Sequence, residues 1–271
     1  MCGSRGSAIG SGIRGAILVL LTLALLAPAA AQARRLRVVE IGGEPDAGAS
    51  SIRVGDFSGA GTRTNGRILG FDPREGDYSC SGTALSTPSH SIVLTAGHCV
   101  QERGSVGREL TFIPAYDHGE RPFGTFEVET AYMMPQWHRD ENPDFDLAAL
   151  RVAPNQLGAL TDVVGARGFV TGRSRHVNFQ IFGYPAAALA GEELRSCIAK
   201  GMGSDVLTYR FAGPPTVPGS CDMAGGSSGG AWIVGGEYID GITSYGYTGS
   251  GNKVYSPYFG SEVGDFLSKL P

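Results

Sequence analysis

From Arg67 onward, short runs of β-type residues alternate with clusters rich in Gly, Pro, Asp and Asn. Short runs bounded by such clusters are typical of strands, and no amphipathic helical pattern lies between them. The clearest runs are 67–71, 82–85, 91–96, 109–115, 125–132, 147–152, 177–182, 205–211, 231–234 and 238–244. The pattern predicts an all-β, antiparallel sandwich or barrel and argues against βαβ units.

Composition narrows the class of protein further. Glycine accounts for 42 of the 271 residues, roughly twice the usual ~7%. There is no Gly-X-Y repeat and no heptad pattern, which excludes collagen and coiled coils. The net charge is -4 and no basic run follows the N-terminus, so we expect no nucleic-acid partner. One weakly helical stretch lies at 262–270.

The N-terminus carries an export pattern. Two arginines precede an apolar run over residues 16–27, and Ala-Gln-Ala follows at 31–33. The run is too short for a membrane span, which needs ~20 residues, whereas small residues at a cleavage position are typical of signal peptides. We predict a secretory signal at 1–33, then an irregular segment, 34–60, that is a propeptide or an N-terminal arm. The exported protein would be extracellular or periplasmic and free of the membrane.

Cysteine usage agrees with export. Removal of the signal deletes Cys2 and leaves Cys80, Cys99, Cys197 and Cys221. An even number in an exported protein predicts disulfides. Three pairings are possible, and the local one, 80 with 99 and 197 with 221, closes two loops of about 20 residues each. No C-x-x-C or H-E-x-x-H spacing exists, so we expect no metal site.

Three local patterns supply the groups for acyl-transfer chemistry: TAGHC at 95–99, DFDLAAL at 144–150 and GGSSGG at 225–230. A serine hydroxyl needs a histidine to accept its proton, and the histidine needs a carboxylate to orient it. The oxyanion needs backbone N–H donors, and flanking glycines let the backbone turn inward without a Cβ clash. Together the patterns predict a nucleophile, a base and an orienting acid.

Chain order selects among the known arrangements. The G-x-S-x-G elbow of α/β-hydrolases also fits 226–230, but there the histidine follows the serine. All five histidines of this chain precede Ser228. The subtilisin order requires an acid before the histidine and an α/β chain. This chain has no helical pattern between its predicted strands, which excludes that order. The order that remains is His98, Asp146, Ser228.

These motifs resemble those of the trypsin-like (chymotrypsin-fold) serine endopeptidases, above all the bacterial secreted branch that includes the glutamyl endopeptidases. The resemblance spans roughly residues 67–259. TAGHC resembles the family's histidine motif and DLAAL its acid motif. The remaining matches are CSGTAL at 80–85 to C-G/S-G-x-L-I, GSSGG at 226–230 to G-D-S-G-G, and GITSYG at 241–246 to G-I-V-S-W-G. The registers of these motifs select Ser228 over Ser227, and Asp146 over Asp144, which we assign to a solvated turn.

The resemblance implies a fold and a set of roles. We expect two antiparallel six-stranded β-barrels with the active site in the cleft between them. The first barrel (61–160) would carry His98 and Asp146, and the second (161–271) would carry Ser228 and a short C-terminal helix. The backbone N–H groups of Gly226 and Ser228 would form the oxyanion hole. The family also pairs the cysteine of the CSGTAL strand with the one after the histidine, which supports a Cys80–Cys99 disulfide.

Specificity is predicted from two segments. By resemblance, Thr243, Ser244, Tyr245 and Gly246 belong to the strand that binds the substrate backbone. Asp222, six residues before Ser228, is a candidate specificity acid for Arg or Lys, and the alternative is a structural turn residue. Glutamyl endopeptidases have a histidine where this chain has Thr243, which argues against acidic specificity.

The sequence therefore predicts a secreted, monomeric serine endopeptidase that acts on proteins or peptides and needs no cofactor. The alternative is a catalytically silent homologue that serves as a binding protein. Ser227 occupies the position of the aspartate that receives the new N-terminus in animal trypsins. We therefore expect that any activation does not use an N-terminal salt bridge.

Overall fold

The computed structural model describes residues 50–186, 190–223, 225–248 and 252–271. The predicted signal peptide and the predicted arm up to residue 49 lie outside the described residues. Within the described ranges, every helix is too short or too polar to cross a lipid bilayer.

Strands dominate the described residues, and the helices are short. The strands are β1 (Ile52–Arg53), β2 (Asn65–Asp72), β3 (Gly76–Leu85), β4 (Ile92–Thr95), β5 (Gln101–Glu102), β6 (Ser105–Val106), β7 (Arg108–Pro114), β8 (Phe126–Met133), β9 (Ala148–Val152), β10 (Gly168–Phe169), β11 (Asn178–Gly183), β12 (Arg195–Lys200), β13 (Val217–Ser220), β14 (Ala231–Val234), β15 (Tyr238–Ile242) and β16 (Lys253–Ser256). The α-helices are α1 (Ala60–Arg63), α2 (Pro135–Asp140), α3 (Leu160–Val164) and α4 (Ser261–Leu267). Single 3-10 turns cover Gly97–Cys99, Pro143–Phe145 and Thr208–Arg210.

The first barrel is a closed ring of six strands in the order β2-β3-β4-β9-β8-β7. All of its pairings are antiparallel. β4 is buried at every position, as expected for a strand that is covered on both faces. Closure leaves this half of the molecule without exposed strand edges.

The second barrel closes through single bridges. One sheet has the order β1-β12-β11-β14-β15-β10, and β13 pairs with β16 in a separate ribbon. Isolated bridges join Gly201 to Gly219 and Tyr245 to Tyr255. These bridges connect the ribbon to β12 and β15 and complete the ring β12-β11-β14-β15-β16-β13. The prediction of an all-β fold is confirmed, with one closed six-stranded barrel and further sheets beside it.

β14 shows how the two barrels share a core. Its side chains alternate in direction, as they do in any strand. Trp232 and Val234 pack in a cluster confined to the second barrel, whereas Ala231 and Ile233 belong to a larger cluster that includes first-barrel strands. Both faces of the strand that follows Ser228 are therefore fixed by packing.

One predicted strand is wrong. The 205–211 run does not form a strand but contains the 3-10 turn Thr208–Arg210. Asp205 fixes this turn, because its Oδ1 accepts the Leu207 N–H at 3.0 Å and its carbonyl accepts the Thr208 N–H at 3.2 Å. An aspartate that bonds to the backbone two residues ahead competes with strand pairing.

Candidate active site

Two neighbouring strands of the first barrel bring the predicted base and acid together. In the antiparallel pair of β4 and β9, Thr95 at the end of β4 is opposite Ala148 at the start of β9. His98 lies three residues after Thr95, and Asp146 lies two residues before Ala148. The chain leaving one strand and the chain entering the other meet at the same end of the barrel.

Asp146 holds His98 through two hydrogen bonds. Its Oδ2 lies 2.7 Å from His98 Nδ1, and its Oδ1 accepts the His98 backbone N–H at 2.8 Å. The Asp146 side chain is 3% exposed and that of His98 is 15% exposed. Because Nδ1 is bonded to the carboxylate, Nε2 is the nitrogen available for proton transfer.

The charge of His98 is set by opposing effects. Burial disfavours the charged imidazole, but the charge and hydrogen bond of Asp146, together with the charge of Glu102, outweigh burial and raise the pKa of His98 above its usual value. A carboxylate that stabilises the imidazolium is what a general base requires after it has accepted a proton.

Ser228 lies in the loop between β13 and β14, which depends on glycine. Gly226 and Gly229 have φ angles of +91° and +81°, in the region that side chains rarely adopt. A Cβ at Gly229 would overlap the Thr95 hydroxyl and the Ser81 carbonyl. The loop therefore approaches β3 and β4 more closely than any other residue type would allow.

Ser81 of β3 clamps this loop, a role that the sequence reasoning missed. Its N–H donates to the Ser228 carbonyl at 2.7 Å, and its hydroxyl donates to the Gly226 carbonyl at 2.9 Å. The Ser81 hydroxyl in turn accepts the Tyr184 N–H at 2.9 Å. Its position directly after Cys80 in the CSGTAL motif is the one sequence signal that could have found it.

The predicted nucleophile and the predicted base line one pocket. His98 and Ser228 both line a pocket of about 250 Å³. Across the described residues, no hydrogen bond joins the Ser228 hydroxyl to His98, and the N–H groups of Gly226 and Ser228 have no partner. Catalytic hydrogen bonds often form fully only when substrate is bound.

The segment after β15 supports the site from the second barrel. Thr243 is buried, and its hydroxyl accepts the Trp232 indole N–H at 3.0 Å, so its side chain belongs to the core. Its backbone bonds to Gly229 and Gly230. Ser244 donates its hydroxyl to Asp146 Oδ2 at 2.5 Å. Ser244, predicted to bind substrate, thus contacts Asp146, the predicted orienting acid.

Two tyrosines, Tyr245 and Tyr247, follow Ser244 in this segment. Tyr245 stacks on Tyr255 with ring centroids 5.0 Å apart. Tyr245 and Tyr247 both donate their hydroxyls to Asp205 Oδ2, at 2.8 and 2.6 Å. Gly246 lies buried between them. The predicted substrate segment is therefore anchored to the turn at Asp205.

Asp222 is tied to the N-terminal segment. Its Oδ1 accepts the Ser51 N–H at 2.8 Å. Arg195 donates to the Ser51 hydroxyl at 2.8 Å and also to the Ser51 carbonyl. The structure thus gives Asp222 an anchoring contact, and its role as a specificity acid stays a prediction.

The assignment of Asp144 to a solvated turn is wrong. Asp144 is 0% exposed, and neither carboxylate oxygen has a hydrogen-bond partner among the described residues. The second barrel covers it, since Gly213 packs directly against its side chain. Burial raises the pKa of Asp144 to about 6, although the charge of Arg175 opposes the rise.

Both disulfides of the local pairing are present. Cys80 is bonded to Cys99, and Cys197 is bonded to Cys221. The sulfur atoms of Cys80 and Cys99 and a ring nitrogen of His98 lie within 4.8 Å of one another. Because these sulfurs are joined in a disulfide, they cannot act as thiolate ligands for a metal ion.

Comparisons with known proteins extend over both barrels. A family model described as Trypsin matches residues 59–267. The crystal structure of the protease Anisep from Arthrobacter nicotinovorans is 32% identical, with a TM-score of 0.70, and the match covers 76% of this chain and 94% of that one. A thermostable serine protease, AL20, from an extremophilic microorganism is 31% identical, with a TM-score of 0.70, over 78% of this chain and 97% of that one.

A more distant structure shares the fold. A Glu endopeptidase in complex with MPD is 17% identical, with a TM-score of 0.64, over 80% of this chain and 94% of that one. The search of curated proteins finds no significant match.

Proposed function

The chain belongs to the trypsin family of serine-type endopeptidases, and we propose that it cleaves peptide bonds through an acyl-enzyme formed on Ser228. His98 acts as the general base and Asp146 orients it. The observation that carries this proposal is the double hydrogen bond from His98 to the buried Asp146, at a pocket that also contains Ser228.

The reaction has two halves. The Ser228 hydroxyl attacks the peptide carbonyl while its proton passes to His98 Nε2. The C–N bond then breaks as His98 gives that proton to the leaving amine, and water repeats the sequence to release the acid. The N–H groups of Gly226 and Ser228 stabilise the oxyanion in both halves. The acyl part of the substrate lies along residues 244–246.

We also propose that residues 1–33 direct export and that the mature enzyme is monomeric. Two disulfides support an oxidising destination. N-terminal sequencing of the exported protein should give a start upstream of Ser51, because Ser51 bonds to Asp222 and Arg195. Light scattering should give the mass of one chain. A start within the first barrel, or a dimer, would contradict these proposals.

Adjacent serines provide a matched test of the mechanism. In digests of a peptide library, Ser228→Ala should lower the cleavage rate by more than about 10⁴-fold. Ser227→Ala, one position away, should cleave at the same bonds as the unmodified enzyme. Cleavage by Ser228→Ala at an undiminished rate would exclude the mechanism. Absence of cleavage by the unmodified chain would favour the silent homologue.

A further inference from the structure

The pocket beside His98 and Ser228 does not include the segment proposed to hold the acyl part of the substrate. Apart from Ser228, every lining residue comes from positions 72–107 of the first barrel. No residue of 243–247 lines it. In the proposed mechanism this space is left for the half of the substrate that departs as the amine.

Two hairpin turns form the charged wall of this pocket. Asp72 Oδ1 accepts the N–H groups of Arg74 and Glu75 at 2.7 and 3.1 Å, so this carboxylate shapes the turn between β2 and β3. The guanidinium of Arg103, in the turn between β5 and β6, pairs with Glu75 at 3.0 Å. Arg74 donates to the Arg103 carbonyl at 2.8 Å. The two turns are thus tied together.

Asp72 and Glu75 shape the two turns or join them, whereas the third carboxylate of the pocket wall, Glu102, does neither. Within the described part of the chain, its side chain makes no hydrogen bond, and its ion pair with Arg103 is long at 3.9 Å. The side chain is 32% exposed. The pocket wall holds three carboxylates and two guanidinium groups and therefore has a net charge of -1. Glu102 is close enough to His98 for its charge to act on the imidazole.

We propose that this pocket binds a basic side chain, Lys or Arg, of the leaving half of the substrate, and that Glu102 determines this preference. The volume of about 250 Å³ accommodates one long side chain. The inference rests on the proposed function and adds to it a substrate class on the leaving side.

The first test varies one residue of the substrate. Quenched fluorescent peptides share a cleavage site mapped from the library digest and carry Lys, Gln or Glu at the first or second position after the scissile bond. We expect kcat/KM for Lys to exceed that for Glu by about threefold to fivefold, the size of an exposed charge pair. Glu102→Gln should bring the ratio close to one. Glu127→Gln, an exposed β8 change outside the pocket, should keep it.

Equal rates for Lys and Glu in the unmodified enzyme, or a ratio that Glu102→Gln does not reduce, would overturn the subsite and leave the proposed function intact. A chain that neither hydrolyses the peptides nor forms an acyl-enzyme would overturn the proposed function itself.

A second measurement does not depend on the variant. An ester substrate loads the acyl group onto Ser228, and added lysinamide or glutaminamide competes with water for it. The amine attacks the acyl carbon, the bond to Ser228 Oγ breaks, an amide bond forms, and His98 passes the proton of the amine to Oγ. We expect lysinamide to give more transfer product than glutaminamide at equal concentration. Equal yields would contradict a cation-binding leaving side.

Discussion

At the scale of single residues, His98 depends on two carboxylates of different kinds. Asp146 is buried and bonded to the ring at 2.7 Å, whereas Glu102 acts only through its charge. Both favour the imidazolium, and together they outweigh the burial that opposes it. The neutral imidazole, which the proposed mechanism needs to accept the serine proton, therefore becomes abundant only above the usual His pKa of about 6.5.

This sets the pH dependence of activity. We expect kcat/KM to rise from about pH 5 to about pH 8, with a midpoint above ~6.5. Glu102→Gln should move the midpoint to lower pH because one source of the raised pKa is removed. Glu127→Gln should leave the midpoint in place. A flat profile, or a midpoint unmoved by Glu102→Gln, would contradict this account of His98.

Asp144 is a second titrating residue near the site, and it affects stability. Its pKa of about 6 in the folded state lies above the ordinary value of 3.8 because the carboxyl is buried. Between these values the folded state keeps the proton that the unfolded state has lost. The free energy of unfolding therefore falls as pH rises through this window and is constant above it.

Asp144→Asn should remove this loss. Relative to the unmodified chain, the variant should gain up to about 3 kcal/mol between pH 4 and pH 7. Urea unfolding at several pH values measures the difference. The idea would fail if the difference in unfolding free energy between the two proteins did not change with pH.

At the scale of elements, Ser81 shows that β3 does more than close the first barrel. Its N–H and hydroxyl hold the carbonyls of Ser228 and Gly226. These contacts fix the loop whose N–H groups are proposed to stabilise the oxyanion, so Ser81 is a positioning residue.

Ser81→Ala leaves the Gly226 carbonyl and the Tyr184 N–H without their hydroxyl partner. We expect kcat to fall about tenfold with KM nearly unchanged, as for the loss of about 1.4 kcal/mol of hydrogen bonding in the transition state. Thr83→Ala is the control, because Thr83 is buried on the same strand but bonds to Asn65. Thr83→Ala should lower the free energy of unfolding and leave kcat unchanged. A kcat loss shared equally by both variants would point to a general structural effect.

The N-terminal segment is a structural element in its own right. β1 pairs with β12, and the Val54 N–H donates to the Leu194 carbonyl at 2.8 Å. A chain that starts at Gly55 would lose these bonds and those of Ser51, and its unfolding free energy should fall by roughly 2–4 kcal/mol. A chain that starts at Ser50 is the control, because it keeps the bonds of Ser51, β1 and Val54. Equal stability of the two truncations in urea would show that the segment is dispensable.

The sequence predicted the strands beside the histidine and aspartate motifs, β4 and β9, to within two residues. His98 follows β4 and Asp146 precedes β9, so local pattern and strand register agree. The 205–211 run has strand-like side chains, but Asp205 turns the chain, and Val206 is left 65% exposed. β12, β13 and β16 were not predicted, because strands with mixed polar and apolar residues give no clear alternation.

At the scale of the whole molecule, the proposed site draws on both barrels. The first contributes His98, Asp146 and Ser81, and the second contributes Ser228 and Ser244, which meet through the contacts described above. The core is continuous between them.

The burial of Asp144 could not be predicted, since it depends on Gly213, nearly 70 residues further along the chain and beyond the second-barrel boundary. Long-range packing of this kind leaves no local pattern.

In the proposed mechanism, Ser228 is a nucleophile activated by His98. Labelling with a fluorophosphonate followed by peptide mapping tests it most directly, because the reagent requires an activated serine rather than a substrate of known sequence. We predict one adduct, located on Ser228, with labelling abolished by Ser228→Ala and strongly slowed by His98→Ala. No adduct on Ser228 in the folded mature protein, or labelling whose rate His98→Ala does not change, would contradict the account.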